Sequence, residues 1–416
     1  MKALARTNST CNIRTVDNAG PYNFTLLSTL ADQVAAGIAA KGNFTDKDVI
    51  DFLVNVECLE GQFDTWGVFG RGFLDNLEQG GPVPIGARAA NLTAATIPYL
   101  QEVALQEQGH TLFTRHAGSN QPCPPIDFDG GFNALLAVAY GLPAGQTVQQ
   151  KYGAPFDPFK NDVNFVVSML TLEELGATGN KGLIPWFTSP VLQNGVAGLA
   201  TSANSQATIQ RFLLWQLRNQ IVEPFGETAE QTFARISAYR NNIIQAPLID
   251  QGIVNTDPRF IAVPYNFLNL MPTDIWGTTF VRSPQQIIQI LTIGNPNGVG
   301  GFFPSGLKGV IRSPAGFNAA PLTGLESYPP NLRISGQEPA AFVGTIVPLT
   351  PNGAGLVPDQ NALTQALGGP PLDGSPNSRG AAPLPASGPV NTVGPPDVQV
   401  AQPAFGGPNV GLPTGG

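Results

Sequence analysis

Gln106-Glu107-Gln108-Gly109-His110 is the stretch whose reading decides the fold of this chain. It lies within a helical pattern over residues 92–116, in which Pro98 is a candidate kink. The Glu-x-x-His spacing places a carboxylate and an imidazole on one helical face. On a helical wheel Ile97, Tyr99, Leu100, Val103 and Ala104 form the apolar arc, and Glu107 and His110 fall inside it. An inward, unpaired carboxylate is costly, so the pair asks for a metal ion, a counter-charge or a proton. Taken alone, the same pattern also describes an ordinary helix with one polar pair at its buried edge.

Inward carboxylates recur on other helical stretches. Over residues 49–66 the apolar arc holds Val49, Phe52, Leu53, Val56, Leu59 and Phe63, with Glu60 within it, Glu57 at its edge, and Asp51, Asn55 and Gln62 expected to face away. Over residues 163–180, Phe165, Val166, Met169, Leu172 and Gly176 share a face, and Glu173 lies between Val166 and Met169. Three helices each turning a Glu inward, one of them as Glu-x-x-His, form the pattern of a carboxylate-bridged two-metal site in a four-helix bundle.

The 416 residues carry only 12% charged side chains, about half the usual share near 25%, while hydrophobic content is an ordinary 42%. A net charge of −8 with no basic cluster argues against nucleic-acid binding. No apolar run approaches the ~20 residues of a membrane helix. Residues 1–10 are basic but lack the apolar stretch of a secretory signal. Four Asn-x-Ser/Thr tripeptides, at Asn8, Asn23, Asn43 and Asn91, cluster in the first quarter and suit a glycosylated, exported protein. Of three cysteines, Cys58 reads as a small core hydrophobe, and Cys11 and Cys123, both in loop-like sequence, are the expected disulfide in an oxidising compartment.

Helical patterns are also expected over residues 22–40, 132–140, 200–222, 228–242 and 283–292. The Gly- and Pro-punctuated stretch 67–91 reads as a crossover, and Gly294 to Gly301 as a turn, since it lacks the strand and the Lys-Ser/Thr of a phosphate loop. From Ser313 onward Pro and Gly dominate, with strand-like islands at 341–349 and 398–401.

Several of these segments resemble the plant and algal desiccation-related proteins with a ferritin-like domain. They are Val54 to Gly67 with its Glu57-Cys58-Leu59-Glu60, Gly80-Gly81-Pro82-Val83-Pro84-Ile85-Gly86-Ala87-Arg88, Glu107-Gln108-Gly109-His110, Pro155-Phe156-Asp157-Pro158-Phe159, Arg282-Ser283-Pro284 and Gly300-Gly301-Phe302-Phe303-Pro304. The resemblance spans residues 48–312. It implies a mainly α chain: a leading segment (1–47), a ferritin-like four-helix bundle (48–245), a further family part (246–312) and an irregular tail (313–416). It also implies a secreted, wall-associated protein linked to dehydration. In such bundles a second Glu-x-x-His is expected on the fourth helix. Here its positions fall on Ala203 and Gln206, neither of which replaces the lost ligand.

Two functions are therefore weighed. In one, Glu57 or Glu60 with Glu107, His110 and Glu173 holds iron or manganese in a reduced metal centre. In the other, favoured on sequence, these are inherited polar residues, partly protonated or hydrogen-bonded to Gln206 and Gln210, no cofactor is bound, and the protein is a non-catalytic scaffold. Such a scaffold would self-associate into a homo-oligomer or filament through its tail, or engage wall polysaccharide. A hydrolase finds no support: there are two histidines and no Gly-x-Ser-x-Gly, and His116 at a helix end reads as a dipole contact.

Overall fold

Thr45 opens the first helix. Its hydroxyl accepts the Asp48 amide while the Asp48 carboxylate accepts the Thr45 amide, a complete capping box, and α1 runs Asp46–Phe69 to a left-handed Gly70. The computed structural model describes residues 41–244, 250–255, 267–273 and 278–314, and the backbone of 349–352 and 355–358. Along the chain follow α2 (Asp75–Glu78), α3 (Ile97–His116), α4 (Phe128–Ala139), α5 (Val148–Tyr152) and α6 (Asp162–Leu183). A 3-10 turn at Ile184–Trp186 leads to α7 (Pro190–Gln216), a two-residue hairpin of β1 (Ile221–Val222) and β2 (Glu227–Thr228), α8 (Ala229–Ile243) and α9 (Pro284–Leu291).

Helices α1, α3, α6 and α7 form the bundle, with α1 packed on α3, α6 on α7, and α1 on α6. Boundaries differ from the sequence reading at several helix ends, among them α7, which stops at Gln216 before β1 rather than at Val222. Pro98 does not kink α3; it occupies the first turn, where its missing N–H costs nothing. Helix α7 begins at Pro190, ten residues before the expected start, because Ser189 caps it and Gly195 and Gly198 are tolerated within the helix. Gly195 lies against the Phe113 ring.

Helix α1 is buried nearly all round, so the expectation of a solvent face at Asp51, Asn55 and Gln62 is corrected. The Asn55 amide bonds both backbone groups of Lys308, Gln62 accepts the Phe73 amide and donates to Glu78, and Asp51 accepts from Ser119. Each of these three side chains meets a partner outside the four bundle helices, and for Asn55 that partner is the segment at Lys308, which returns to α1. At one end of the bundle Phe63 sits among the rings of Phe128, Phe132, Phe159 and Phe165, at centroid distances of 4.9 to 5.2 Å. Gly67 leaves room for the Phe165 ring that a Cβ would strike.

The wrap is fastened by buried ion pairs. Glu174 on α6 pairs with Arg211 and Arg240, and Asp250 pairs with Arg240 at 2.9 Å and with Arg282. Arg211 also donates to the carbonyls of Gly252 and Asn269, at 3.1 and 2.8 Å. Such a network does little for stability against an apolar alternative, but losing one member strands the others.

The second compact unit, residues 342–416, contains an antiparallel hairpin of β3 (Leu349–Asn352) and β4 (Gly355–Pro358). The expected leading helix, Asn8, Asn23 and Cys11, and the island at 398–401 lie outside the described residues. So does nearly all of the tail on which self-association was expected to depend.

Cys58 and Cys123 form a disulfide, which corrects the expected Cys11–Cys123 pair and the reading of Cys58 as a free core hydrophobe. The physical reason is the loop after α3. Its Cys123 amide donates to the Glu78 carbonyl at 3.0 Å, and Arg115 donates to Leu77, so the loop is laid across α1 at Cys58. The closed loop spans 65 residues, so Cys58→Ser is expected to destabilise the protein by about 2–4 kcal/mol in denaturant titration. Peptide mapping without reduction should yield a Cys58–Cys123 linked pair, and a link through Cys11 would contradict it.

Candidate metal centre

The four bundle helices converge on an acidic interior. Helix α1 contributes Glu57, Glu60 and Asp64, spaced three and four residues apart and therefore on one face. Helix α3 contributes Glu107 and His110, α6 contributes Glu173 and Asn180, and α7 contributes Ala203, Gln206 and Gln210, all buried. The Thr111 hydroxyl donates to the Glu57 carbonyl at 3.1 Å and ties α3 to α1 at this level.

Glu57, Glu107 and His110 offer ligand atoms that all lie within 4.8 Å of one another. His110 Nδ1 stands 2.8 Å from Glu107 Oε1 and 3.6 Å from Glu57 Oε2. These are ion-pair distances, yet Glu57 Oε2 and both Glu107 oxygens receive no aligned hydrogen bond although Glu57 and Glu107 are 0% exposed. The other Glu57 oxygen accepts from Asn180 at 3.3 Å.

The remaining groups separate by partner. Glu60, which the sequence left as an alternative to Glu57, turns toward α6 and accepts the Gly176 amide at 3.1 Å. A Cβ at residue 176 would overlap the Glu60 carboxylate where it now sits, so a larger residue would displace it. Glu173 accepts from Gln210 at 2.9 Å and keeps its second oxygen unpartnered. Gln206 is buried with neither amide atom bonded.

Electrostatics follow from the crowding. Burial raises the carboxyls of Glu60, Asp64 and Glu173 well above the usual range, and the neighbouring Glu107 charge pushes in the same direction. Glu57 is raised by burial and partly restrained by His110. Burial works against the His110 imidazolium, but Glu107 and Glu57 outweigh it and push its pKa up to about 11. Several carboxyls thus crowd one imidazole in a dry interior, where their charged forms are disfavoured unless protons or a cation balance them.

The donor set fits a transition metal ion. Two carboxylates and an imidazole suit iron or manganese, and the thiolates that would select softer ions are absent, both described cysteines being joined in the disulfide. Ala203 and Gln206, the positions where the resemblance led to a second Glu-x-x-His being expected, are buried on α7. Sequence reasoning missed Asp64 and Asn180. Both were within reach of it, since Asp64 lies seven residues after Glu57 and Asn180 seven after Glu173, two helical turns along the same faces. Of the sequons, Asn43 and Asn91 are exposed.

A ferritin-like domain model matches residues 45–216. The desiccation-related protein PCC13-62 of Craterostigma plantagineum is 31% identical over 249 residues, covering 59% of this chain and 76% of that protein. The ferritin-like catalase Nec2 of Nesocodon mauritianus is 27% identical over 272 residues, covering 64% of this chain and 84% of that protein. No solved structure matches. A helical bundle with this acidic interior, joined to a relative of that identity and coverage, makes the chain a member of the desiccation-related, ferritin-like family.

Proposed function

We propose that this protein binds one redox-active ion, iron or manganese, through Glu57, Glu107 and His110, and consumes peroxide in a desiccation-linked setting. The observation that carries the reading is the set of three carboxylate oxygens, on Glu57 and Glu107, that lie fully buried around His110 with no aligned hydrogen bond, His110 Nδ1 standing 2.8 Å from the nearest of them. Native proteins rarely leave such atoms unsatisfied, and an ion bonded to all three supplies what hydrogen bonds do not. The competing reading has inherited polar residues, partly protonated or hydrogen-bonded to Gln206 and Gln210; among the described residues Gln210 donates to Glu173, and neither glutamine bonds Glu57 or Glu107.

Bound there, such an ion would supply one-electron chemistry and Lewis acidity. The chain's own residues supply the rest. Asn180 orients Glu57, the Gly176 amide holds Glu60 away from His110, and the packed apolar layers exclude bulk water. Peroxide as the substrate class is supported by the name of the Nesocodon relative.

Export is the second part of the proposal, supported by the buried Cys58–Cys123 disulfide and the exposed sequons at Asn43 and Asn91.

Elemental analysis of protein purified from iron- or manganese-supplemented medium should give one ion per chain. Glu107→Gln and His110→Ala should each lower metal affinity ten-fold or more while circular dichroism stays helical. Metal-free wild-type protein, or variants that load normally, would overturn the reading. In a eukaryotic secretory host Asn43→Gln and Asn91→Gln should each remove one glycan's mass, and unchanged masses would count against export by that route.

A further inference from the structure

Among the described residues, α1 and α6 are buried along nearly their whole length, whereas α3 and α7 each keep an exposed stripe. On α3 the stripe carries Tyr99, Leu105, Gly109 and Leu112, with Leu105 58% and Leu112 40% exposed. On α7 it runs Val191, Asn194, Gly198, Thr201 and Ser205, in steps of three and four residues that stay on one side of a helix. Among the exposed residues of 97–114 and 190–210 only Glu102 is charged.

The two stripes lie side by side and run in opposite directions. Gly195 rests against the Phe113 ring, and seven residues further along α7 the Ser202 hydroxyl stands 3.4 Å from the amide oxygen of Gln106, seven residues back on α3. At that register Leu105 is level with the space between Thr201 and Ser205, and Leu112 with the space between Asn194 and Gly198. Helix α3 therefore offers a ridge of leucines and α7 a furrow of small side chains. A Cβ at Gly109 or Gly198 would meet nothing within 4 Å, so the surface above both glycines is open.

We propose that this face is the interface of a homodimer, closed by a two-fold axis parallel to the helices. Such an axis lays α3 of one protomer on α7 of its partner without changing level, so Leu105 and Leu112 enter the partner's furrow and the contact is made twice. This match selects a second copy as the occupant. Ridge and furrow lie on one surface, at one level and over the same length, as an isologous contact requires and a different partner would not. The near absence of charge is that of an interface core. Two helices of about 30 Å side by side give a flat footprint of about 600 Å², which side-chain relief brings toward the ~800 Å² per partner of a stable complex. The interface needs neither the ion nor the tail.

The test is sedimentation velocity on the full chain at micromolar concentration, metal-free and iron-loaded. Wild type should be a dimer in both states. Leu105→Glu should raise the dimer dissociation constant ten-fold or more while circular dichroism stays helical. Gly198→Leu should do the same, although it fits the open space of a free protomer and favours the helix, so a loss of fold would not account for its effect. When Leu105→Cys and Ser205→Cys proteins are mixed under oxidising conditions, a disulfide should join one chain of each. A monomeric wild type, whether the face stays bare or the first forty residues cover it, would overturn the interface. So would an assembly that Leu105→Glu and Gly198→Leu leave unchanged, or the absence of the mixed cross-link.

Discussion

Keeping ionisable carboxyls away from water is the constraint that shapes this molecule. Glu57, Glu60, Asp64, Glu107 and Glu173 are all inside the bundle, where an unpaired carboxylate is worth several kcal/mol of penalty. The structure answers the penalty differently at each one. Glu60 borrows a backbone amide, Glu173 takes a glutamine N–H, and Glu57 takes an asparagine N–H on one oxygen. Glu107 has the His110 imidazole at 2.8 Å, a contact not aligned as a hydrogen bond. Three of the buried oxygens without an aligned hydrogen bond, on Glu57 and Glu107, lie around the single imidazole of His110, and that group of ligand atoms could hold a metal ion.

The outer layers can be understood as what holds that spot in place. The ion-pair network of Glu174, Arg211, Arg240, Asp250 and Arg282 binds the segment after α8 to the backs of α6 and α7. The Cys58–Cys123 link fixes the loop after α3 to the residue next to Glu57. Neither feature touches the site, yet each limits how far α1, α3, α6 and α7 can move apart. That rigidity matters for a ligand set drawn from two helices.

Much of this was legible in the residues. Helical periodicity with Glu57, Glu60, Glu107, His110 and Glu173 in apolar arcs is a local signal, and those five do lie inside. The loss of ligands at Ala203 and Gln206 was equally visible. What was not legible depended on distant partners. Asp51, Asn55 and Gln62 look like a solvent face until the chain near Lys308 and the loops after α1 and α3 return to bond them. The choice between Glu57 and Glu60 turned on Gly176, more than a hundred residues away, and the partner of Cys58 on how the loop after α3 is pinned. Asp64 and Asn180 were periodic but went unnoticed, because a single polar residue two turns from a motif carries no pattern of its own.

The central claim is that a single ion is held by oxygen and one imidazole nitrogen. X-ray absorption at the metal edge of iron- or manganese-loaded wild-type protein tests it most directly. The account predicts a shell of oxygen and nitrogen neighbours with one imidazole and no second metal within about 4 Å, the separation typical of two-metal sites. A clear metal–metal vector, sulfur neighbours, or a spectrum that Glu107→Gln leaves unchanged would contradict it.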